Sequence, residues 1–266
     1  MSDNKLVVGK IPYANVFPIF YVLENEFDCS QYVFVEGVPS SLNRMLREGE
    51  LDISPSSSLE YLRNKGVYSI IGNHSISSKG EVGSILFFSR QRIEDLDGTV
   101  VFASSQSETS VALLKIILKK FYGLSVAVEV VTKPDQQSGT AYLLIGDDAL
   151  KQQAVYHQST IADYSFVYDL GEIWYRQTGL PFVFALWIVR NDISGKGGLV
   201  DRFTTDLGRA KEIALNKLPH IAKYAPVNAF MTEEEILAYW KKLDYELSDE
   251  HRKGLALFDR YRKEVD

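Results

Sequence analysis

From Lys5 to Arg63 the chain alternates strand-like and helix-like segments without a break, and that alternation leaves few folds open. Lys5 to Lys10 reads as a short buried strand that ends at Gly9, followed by the loop Ile11-Pro12-Tyr13-Ala14-Asn15. Phe17 to Phe27 reads as a helix with Phe17, Phe20, Tyr21 and Leu23 on its apolar face. Tyr32 to Glu36 is a second strand. Pro39-Ser40-Ser41-Leu42-Asn43 opens a second helix, capped by Ser40 or Ser41 and stopped by Gly49. Leu51 to Ser54 is a third strand, and Pro55-Ser56-Ser57-Ser58 opens a helix over Leu59 to Arg63. Strand-helix alternation of this kind predicts a mainly parallel sheet covered by helices.

A second run follows. Strands are expected at Val67–Ile71, Ser84–Phe88, Thr99–Ala103, Val126–Val131, Ala141–Ile145, Tyr164–Asp169 and Phe182–Arg190. Helices are expected at Ile93–Gly98, from Ser107 to Tyr122, and from Gly146 onward. From Gly197 the pattern is helical, with apolar residues three and four apart over Leu199–Lys217, Glu233–Leu243 and Asp249–Lys263. The fold class expected is therefore α/β in two lobes with a cleft between them. A discontinuous first lobe covers 1–88 plus 190–266, with the helical tail packed on it, and an inserted second lobe covers 89–189. The chain crosses near Phe87–Arg90 and near Leu186–Asn191. Such clefts hold ligands and close on them.

Composition narrows the function. A formal net charge of −6 argues against a nucleic-acid surface. The single cysteine, Cys29, allows no internal disulfide. Met1-Ser2-Asp3-Asn4-Lys5 runs directly into the first strand with no charged-then-apolar leader, and no apolar run reaches the roughly 18 residues of a membrane span. The expectation is a cytoplasmic protein with no membrane partner. His74, His157, His220 and His251 are scattered and no zinc-like spacing exists, so neither a metal nor a cofactor is expected. GxGxxG, GxxxxGK[ST] and GxSxG elements are missing, which leaves nucleotide, P-loop and nucleophile-elbow chemistry without support.

The informative positions are loops that end at helix starts. Pro55-Ser56-Ser57-Ser58 and Gln106-Ser107-Glu108-Thr109-Ser110 offer hydroxyls and unpaired backbone N–H groups, and Asn15 sits in the loop after the first strand. Helix N-termini hold carboxylates without needing Arg. In an α/β sheet these loops gather at the carboxyl ends of the strands. Each serine also has an ordinary use as an N-cap, and Glu108 one as an acid at a helix start. Asp147 and Asp148 follow a strand and fit a hydroxyl-orienting or basic role as well as a cap. His74, before the polar stretch Ser75-Ile76-Ser77-Ser78, fits ligand contact or a local hydrogen bond. Trp174, Trp187 and Trp240 read as core, and Lys241-Lys242 as a solvated helix face.

Seven segments in order carry a resemblance. They are Val8-Gly9-Lys10-Ile11-Pro12-Tyr13-Ala14-Asn15, Gly49 through Tyr61, Ser75 through Ser84, Ser107-Glu108-Thr109-Ser110, Leu144 through Leu150, Asp169-Leu170-Gly171-Glu172-Ile173-Trp174, and Thr178 through Trp187. Together they resemble the chorismate dehydratase (MqnA) family of the futalosine route to menaquinone, over about Leu6 to Arg190 with a compatible helical tail. The resemblance implies a type II periplasmic-binding-protein-like fold and a cofactor-independent hydro-lyase. Its substrate would be chorismate and its product 3-[(1-carboxyvinyl)oxy]benzoate. The sister family, which cleaves cyclic dehypoxanthinylfutalosine, has a His where this chain has Gly146-Asp147-Asp148, and this favours the dehydratase. A non-enzymatic carboxylate receptor of the same fold is the other alternative.

By the same resemblance Asn15 and Ser84 are the expected catalytic contacts. Asn15 would position the substrate, while Ser84 would hydrogen-bond the enolpyruvyl carboxylate, which itself takes the ring proton. Ser56, Ser57, Ser107, Thr109, Ser110 and the backbone at Gly83 would hold carboxylates, and Asp147 the ring hydroxyl.

Overall fold

The computed structural model describes residues 5–134, 139–158, 165–193 and 195–265. The expected strand start at Tyr164 and the side chain of His157 lie outside the described residues. In chain order the elements are β1 (Leu6–Lys10), α1 (Phe17–Glu26), β2 (Tyr32–Glu36), α2 (Pro39–Glu48), β3 (Ile53–Ser57), α3 (Ser58–Arg63) and β4 (Tyr68–Ser78). Then come β5 (Ile85–Ser89), β6 (Val100–Ser104), α4 (Glu108–Ile116), β7 (Ala127–Val131), β8 (Ala141–Ile145), α5 (Gly146–Gln158), β9 (Phe166–Asp169) and α6 (Leu170–Thr178). The chain ends with β10 (Phe182–Arg190), α7 (Gly197–Ile221), α8 (Glu233–Trp240), β11 (Asp244–Glu246) and α9 (Asp249–Val265).

These elements form two compact units. One comprises Met1–Ile76, Ala185–Trp240 and Tyr245–Leu247; the other comprises Ser77–Phe184, Lys241–Asp244 and Ser248–Asp266. The first carries a six-stranded sheet of order β11-β4-β10-β3-β1-β2. In it β1 runs parallel to β2 and β3, and β10 runs antiparallel to β3. The expected parallel sheet is thus a mixed one. Its core holds Leu6, Val8 and Ile53 with a run of rings, Phe20 5.6 Å from Trp187 and Trp187 5.9 Å from Phe203.

The second unit carries a five-stranded sheet of order β7-β6-β8-β5-β9. Here β6 is parallel to β7 and β8, while β5 is antiparallel to β8 and β9. That pairing moves a boundary. The segment up to residue 88 was expected in the first lobe, yet β5 is buried along its whole length between two strands of the second sheet. The tail divides as well. In the second unit, α9 buries Leu255 and Phe258, and Phe258 lies 5.0 Å from Phe182 and 6.4 Å from Trp174. Of the tail, α7, α8 and Tyr245–Leu247 belong to the first unit, as the whole tail was expected to do.

Local differences have simple causes. Pro39 occupies the first turn of α2, where its missing N–H costs nothing, and the cap position is Val38 rather than Ser40 or Ser41. Gly49 closes that helix in the left-handed region at φ 81°. Pro55, Ser56 and Ser57 complete β3 instead of forming a loop, and Ser75–Ser78 are the end of β4. Ile93–Asp95 is a single tight turn in place of the expected helix.

Candidate functional site

In the first unit the parallel run of β1, β2 and β3 brings their carboxyl ends to one edge of the sheet. Asn15 follows β1 in the tight turn that begins at Tyr13. Two aromatic side chains pin that turn by its carbonyls. Trp240 Nε1 donates to the Ala14 oxygen at 2.8 Å, and the Tyr245 hydroxyl donates to the Asn15 oxygen at 2.7 Å. Both rings are buried, and burial holds the Tyr245 phenol well above its ordinary pKa, so it remains a donor. The Asn15 side chain is left with its Oδ1 buried and without a hydrogen-bond partner among the described residues.

The end of β3 lies at the same edge. Ser56 and Ser58 are fully buried, and the hydroxyl of each has no hydrogen-bond partner among the described residues. Ser57 is different: its Oγ accepts from Asn43 Nδ2 at 3.1 Å and from the Glu60 N–H at 3.4 Å, which makes it the N-cap of α3. The structural use outweighs the binding use there. Ser56, placed opposite Leu186 of β10, is left with Ser54 and Ser58 as a buried hydroxyl without a hydrogen-bond partner among the described residues. A buried polar atom with no partner is costly to the fold and is the kind of group a ligand satisfies.

The second unit gathers its own set. β8 and β6 are parallel and β5 is antiparallel to β8, so the start of β5 lies beside the carboxyl ends of β6 and β8. Gly83 and Ser84 therefore sit beside Gly146 and Asp147, and the Gly146 N–H donates to the Ser84 carbonyl at 2.8 Å. Ser107, Thr109 and Ser110 open α4 at the end of β6, all three buried. Ser107 Oγ accepts from the Ser110 N–H at 3.3 Å and from the Ser110 hydroxyl at 3.1 Å, a cap that orders the first turn of α4. Gln106 Nε2 donates to Asp148 Oδ2 at 3.3 Å and so links the starts of α4 and α5. Asp148 is exposed and Asp147 half-buried. Six of the expected residues, Gly83, Ser84, Ser107, Thr109, Ser110 and Asp147, thus share one end of one sheet.

Asp169 was given no role by the sequence, yet it organises this end. Its Oδ1 accepts from Gly171 N at 2.9 Å, Glu172 N at 3.1 Å and Val82 N at 3.1 Å; its Oδ2 accepts from Val82 N at 3.0 Å and Gly83 N at 2.6 Å. Burial pushes its carboxyl above the ordinary carboxylate pKa, opposed by these backbone donors. A signal existed: an Asp before a helix start with an acid three residues on, Asp169…Glu172, is a capping pattern.

His74 stands apart from both sheet ends in β4, where a loop contact was expected. Burial and the Lys211 charge lower its pKa to about 4, so it is a neutral ring at pH 7. Among the described residues no cluster of His, Cys, Asp and Glu could hold a metal ion, and no helix is long and apolar enough to cross a membrane.

Comparison with known proteins adds to this geometry. A family model described as menaquinone biosynthesis matches residues 6–264. The chain is 29% identical over 267 residues to a protein of Thermus thermophilus named chorismate dehydratase, which spans 95% of this chain and 93% of that one. It is 30% identical over 185 residues to a protein of the same name from Campylobacter jejuni, 68% of this chain and 66% of the relative. Among solved structures, protein AF1704 of Archaeoglobus fulgidus matches with a TM-score of 0.76 at 18% identity, over 98% of this chain and 97% of that one. The alkanesulfonate-binding protein SsuA of Xanthomonas axonopodis pv. citri, bound to MOPS, matches with a TM-score of 0.68 at 13% identity, over 99% and 94%. At those identities the structural likeness speaks to fold, and the fold is the periplasmic-binding-protein-like α/β fold expected from the sequence.

Proposed function

We infer that this chain, which belongs to the menaquinone biosynthesis family, is a chorismate dehydratase that converts chorismate to 3-[(1-carboxyvinyl)oxy]benzoate and water. The observation that carries the reading is the likeness, along almost the whole chain, to a relative named for that activity. The residues favour it too. Chorismate carries two carboxylates, and the chain offers hydroxyls and helix-start N–H groups where anions are held without counter-charges. Loss of the C3 proton and the C4 hydroxyl makes the ring aromatic, so the product is strongly favoured. What remains for the protein is to orient the molecule, exclude water and guide one proton.

Asn15 positions the substrate through the side-chain oxygen that has no hydrogen-bond partner among the described residues. Ser84 hydrogen-bonds the enolpyruvyl carboxylate, which takes the C3 proton. The C–H electron pair becomes the new ring double bond, and the C4 hydroxyl leaves with the C4–O pair, becoming water as it takes from the enolpyruvyl carboxyl group the proton that came from C3. Asp147 holds that hydroxyl. Ser56 and Ser58, Thr109, and the N–H groups at the start of α4 bind carboxylate oxygens; the Gly83 N–H, expected in that set, is already taken by Asp169. Ser57 and Ser107 act one step removed, as the caps that fix those helix starts. The reaction needs neither a metal nor an organic cofactor.

The test is direct. Metal-free protein is incubated with chorismate and the products are followed by chromatography and mass. An aromatic enol ether lighter by one water is the expected result. Unchanged chorismate that still raises the melting temperature points to a receptor instead. Unchanged chorismate without protection, together with cleavage of cyclic dehypoxanthinylfutalosine, returns the sister lyase. Asn15→Ala and Ser84→Ala should each lower kcat about 100-fold, the scale of losing one oriented contact to the reacting centre. Wild-type turnover in both would sink the assignment of the two residues.

A further inference from the structure

Asp169 is a carboxylate whose hydrogen bonds all run to backbone N–H groups, shared between two chain segments that are nearly ninety residues apart. Two come from the first turn of α6, Gly171 and Glu172, which an N-cap would satisfy in any protein. The others come from Val82 and Gly83 and serve no helix. They fix the turn that leads into Ser84, where Gly83 adopts φ 74°, a conformation that needs a glycine and that loose chain would not hold by itself. The packing around the clamp is tight. A Cβ on Gly171 would come within 2.7 Å of the Gly80 carbonyl and 2.8 Å of Ser78 Oγ, and Ser78 Oγ itself donates to that carbonyl at 2.9 Å. Beyond Ser84 the chain is held again, by the Gly146 N–H on the Ser84 carbonyl. Ser84 is therefore gripped on both sides, by Asp169 before it and by the start of α5 after it.

We propose that Asp169 is the positioning residue for Ser84, setting the placement of its side chain for the reaction through the Val82–Gly83 backbone without touching substrate. The proposal rests on the chorismate dehydratase reading of Ser84. A simple cap would serve α6 with one acceptor oxygen. The second oxygen, spent on Val82 and Gly83, is what a cap does not require. Substitution by Asn keeps size and one acceptor but turns the other position into an amide donor, which faces N–H groups and cannot bond them.

The experiment compares kcat and KM for chorismate in the wild type, Asp169→Asn, Ser84→Ala and the double variant, each below its melting temperature. Displacement of a reacting contact by about an ångström costs on the order of 100-fold, so Asp169→Asn should lose about that factor in kcat with KM within a few-fold. Added to Ser84→Ala it should cost almost nothing more, because one contact cannot be lost twice. Amide exchange at Val82 and Gly83 should rise in Asp169→Asn. Gly83→Ala, which strains the same turn with Asp169 intact, should reproduce the kcat loss and serves if Asp169→Asn does not fold. Full kcat in folded Asp169→Asn, or losses that multiply in the double variant, would overturn the proposal. A wild type that leaves chorismate unchanged overturns the dehydratase reading instead, and the exchange measurement still reports on whether the clamp exists.

Discussion

A fully buried hydroxyl with no hydrogen-bond partner works against the fold, and among the described residues Ser56 is such a group. Removing it relieves a desolvation penalty, so Ser56→Ala should raise stability by about 1 kcal/mol. If the hydroxyl is kept for a ligand, the same change should raise KM for chorismate several-fold. Denaturant unfolding set beside steady-state kinetics reads both; a variant that loses stability with KM unchanged would make Ser56 structural. His74 has a cost of another kind. Its folded pKa of about 4 lies below the ordinary 6.5, so between those values the unfolded chain takes up a proton that the folded one refuses. Stability should fall as pH drops through that window and level off beneath it. Full burial would set the loss near 3 kcal/mol, and residual solvent screening brings it to about 2 kcal/mol. The slope should be shallower in His74→Gln, measured as melting temperature against pH. An equal slope in both proteins would assign the acid sensitivity to carboxylates. At this scale Asn15 and the helix-start serines were legible because residue type and position after a strand are local facts, whereas Ser84 came from the family resemblance. The sequence did not divide Ser56 from Ser57, since that division depends on Asn43 fourteen residues away. Nor did it bring in Tyr245, whose hold on the turn at Asn15 spans 230 residues.

Among the elements, α9 shows how packing overrides propensity. A Cβ on Gly254 would lie 2.1 Å from the Pro181 carbonyl oxygen, a distance no small adjustment relieves. Gly254→Ala gains about 1 kcal/mol of helix propensity and should still lose about 2–3 kcal/mol in urea unfolding, because α9 must move off its seat. A stabilised variant would show the seat to be soft. The same override explains the misread elements. Pro55-Ser56-Ser57 has the composition of a loop, but between β1 and β10 every residue of β3 is buried, and strand geometry follows from its neighbours. The polar end of β4 went the same way. Helix α6 lies outside the expected helices; the space beside Gly80 and Ser78, invisible in sequence, is what requires Gly171 in its first turn.

For the molecule as a whole, the alternating pattern was enough to give the α/β fold, and the seven segments gave the family. The limits of the two units were harder. Nothing in the composition of Ile85-Leu86-Phe87-Phe88-Ser89 says which sheet it joins; β8 and β9 decide it from more than fifty residues away. Charge supplies a prediction at this scale. The chain carries a formal −6, while the residues proposed to hold a dianion are neutral hydroxyls, amides and backbone N–H groups. Long-range charge then opposes arrival of the substrate instead of steering it. KM for chorismate should hold steady or fall as salt rises from about 0.01 M to about 0.15 M, where screening shortens from roughly 30 Å to roughly 8 Å. A KM that climbs steeply with salt would reveal a cationic contact left out of the proposed set.

The strand order also has a consequence for how the chain comes off the ribosome. In the first sheet β10 lies between β3 and β4, so strands made early wait with open edges until the chain has been synthesised through Arg190. In the second unit Trp174 and Phe182 wait for α9, which is made after them. No early portion of this protein is a finished object. Until then the nascent chain exposes unpaired edges and uncovered rings, the surfaces that invite aggregation.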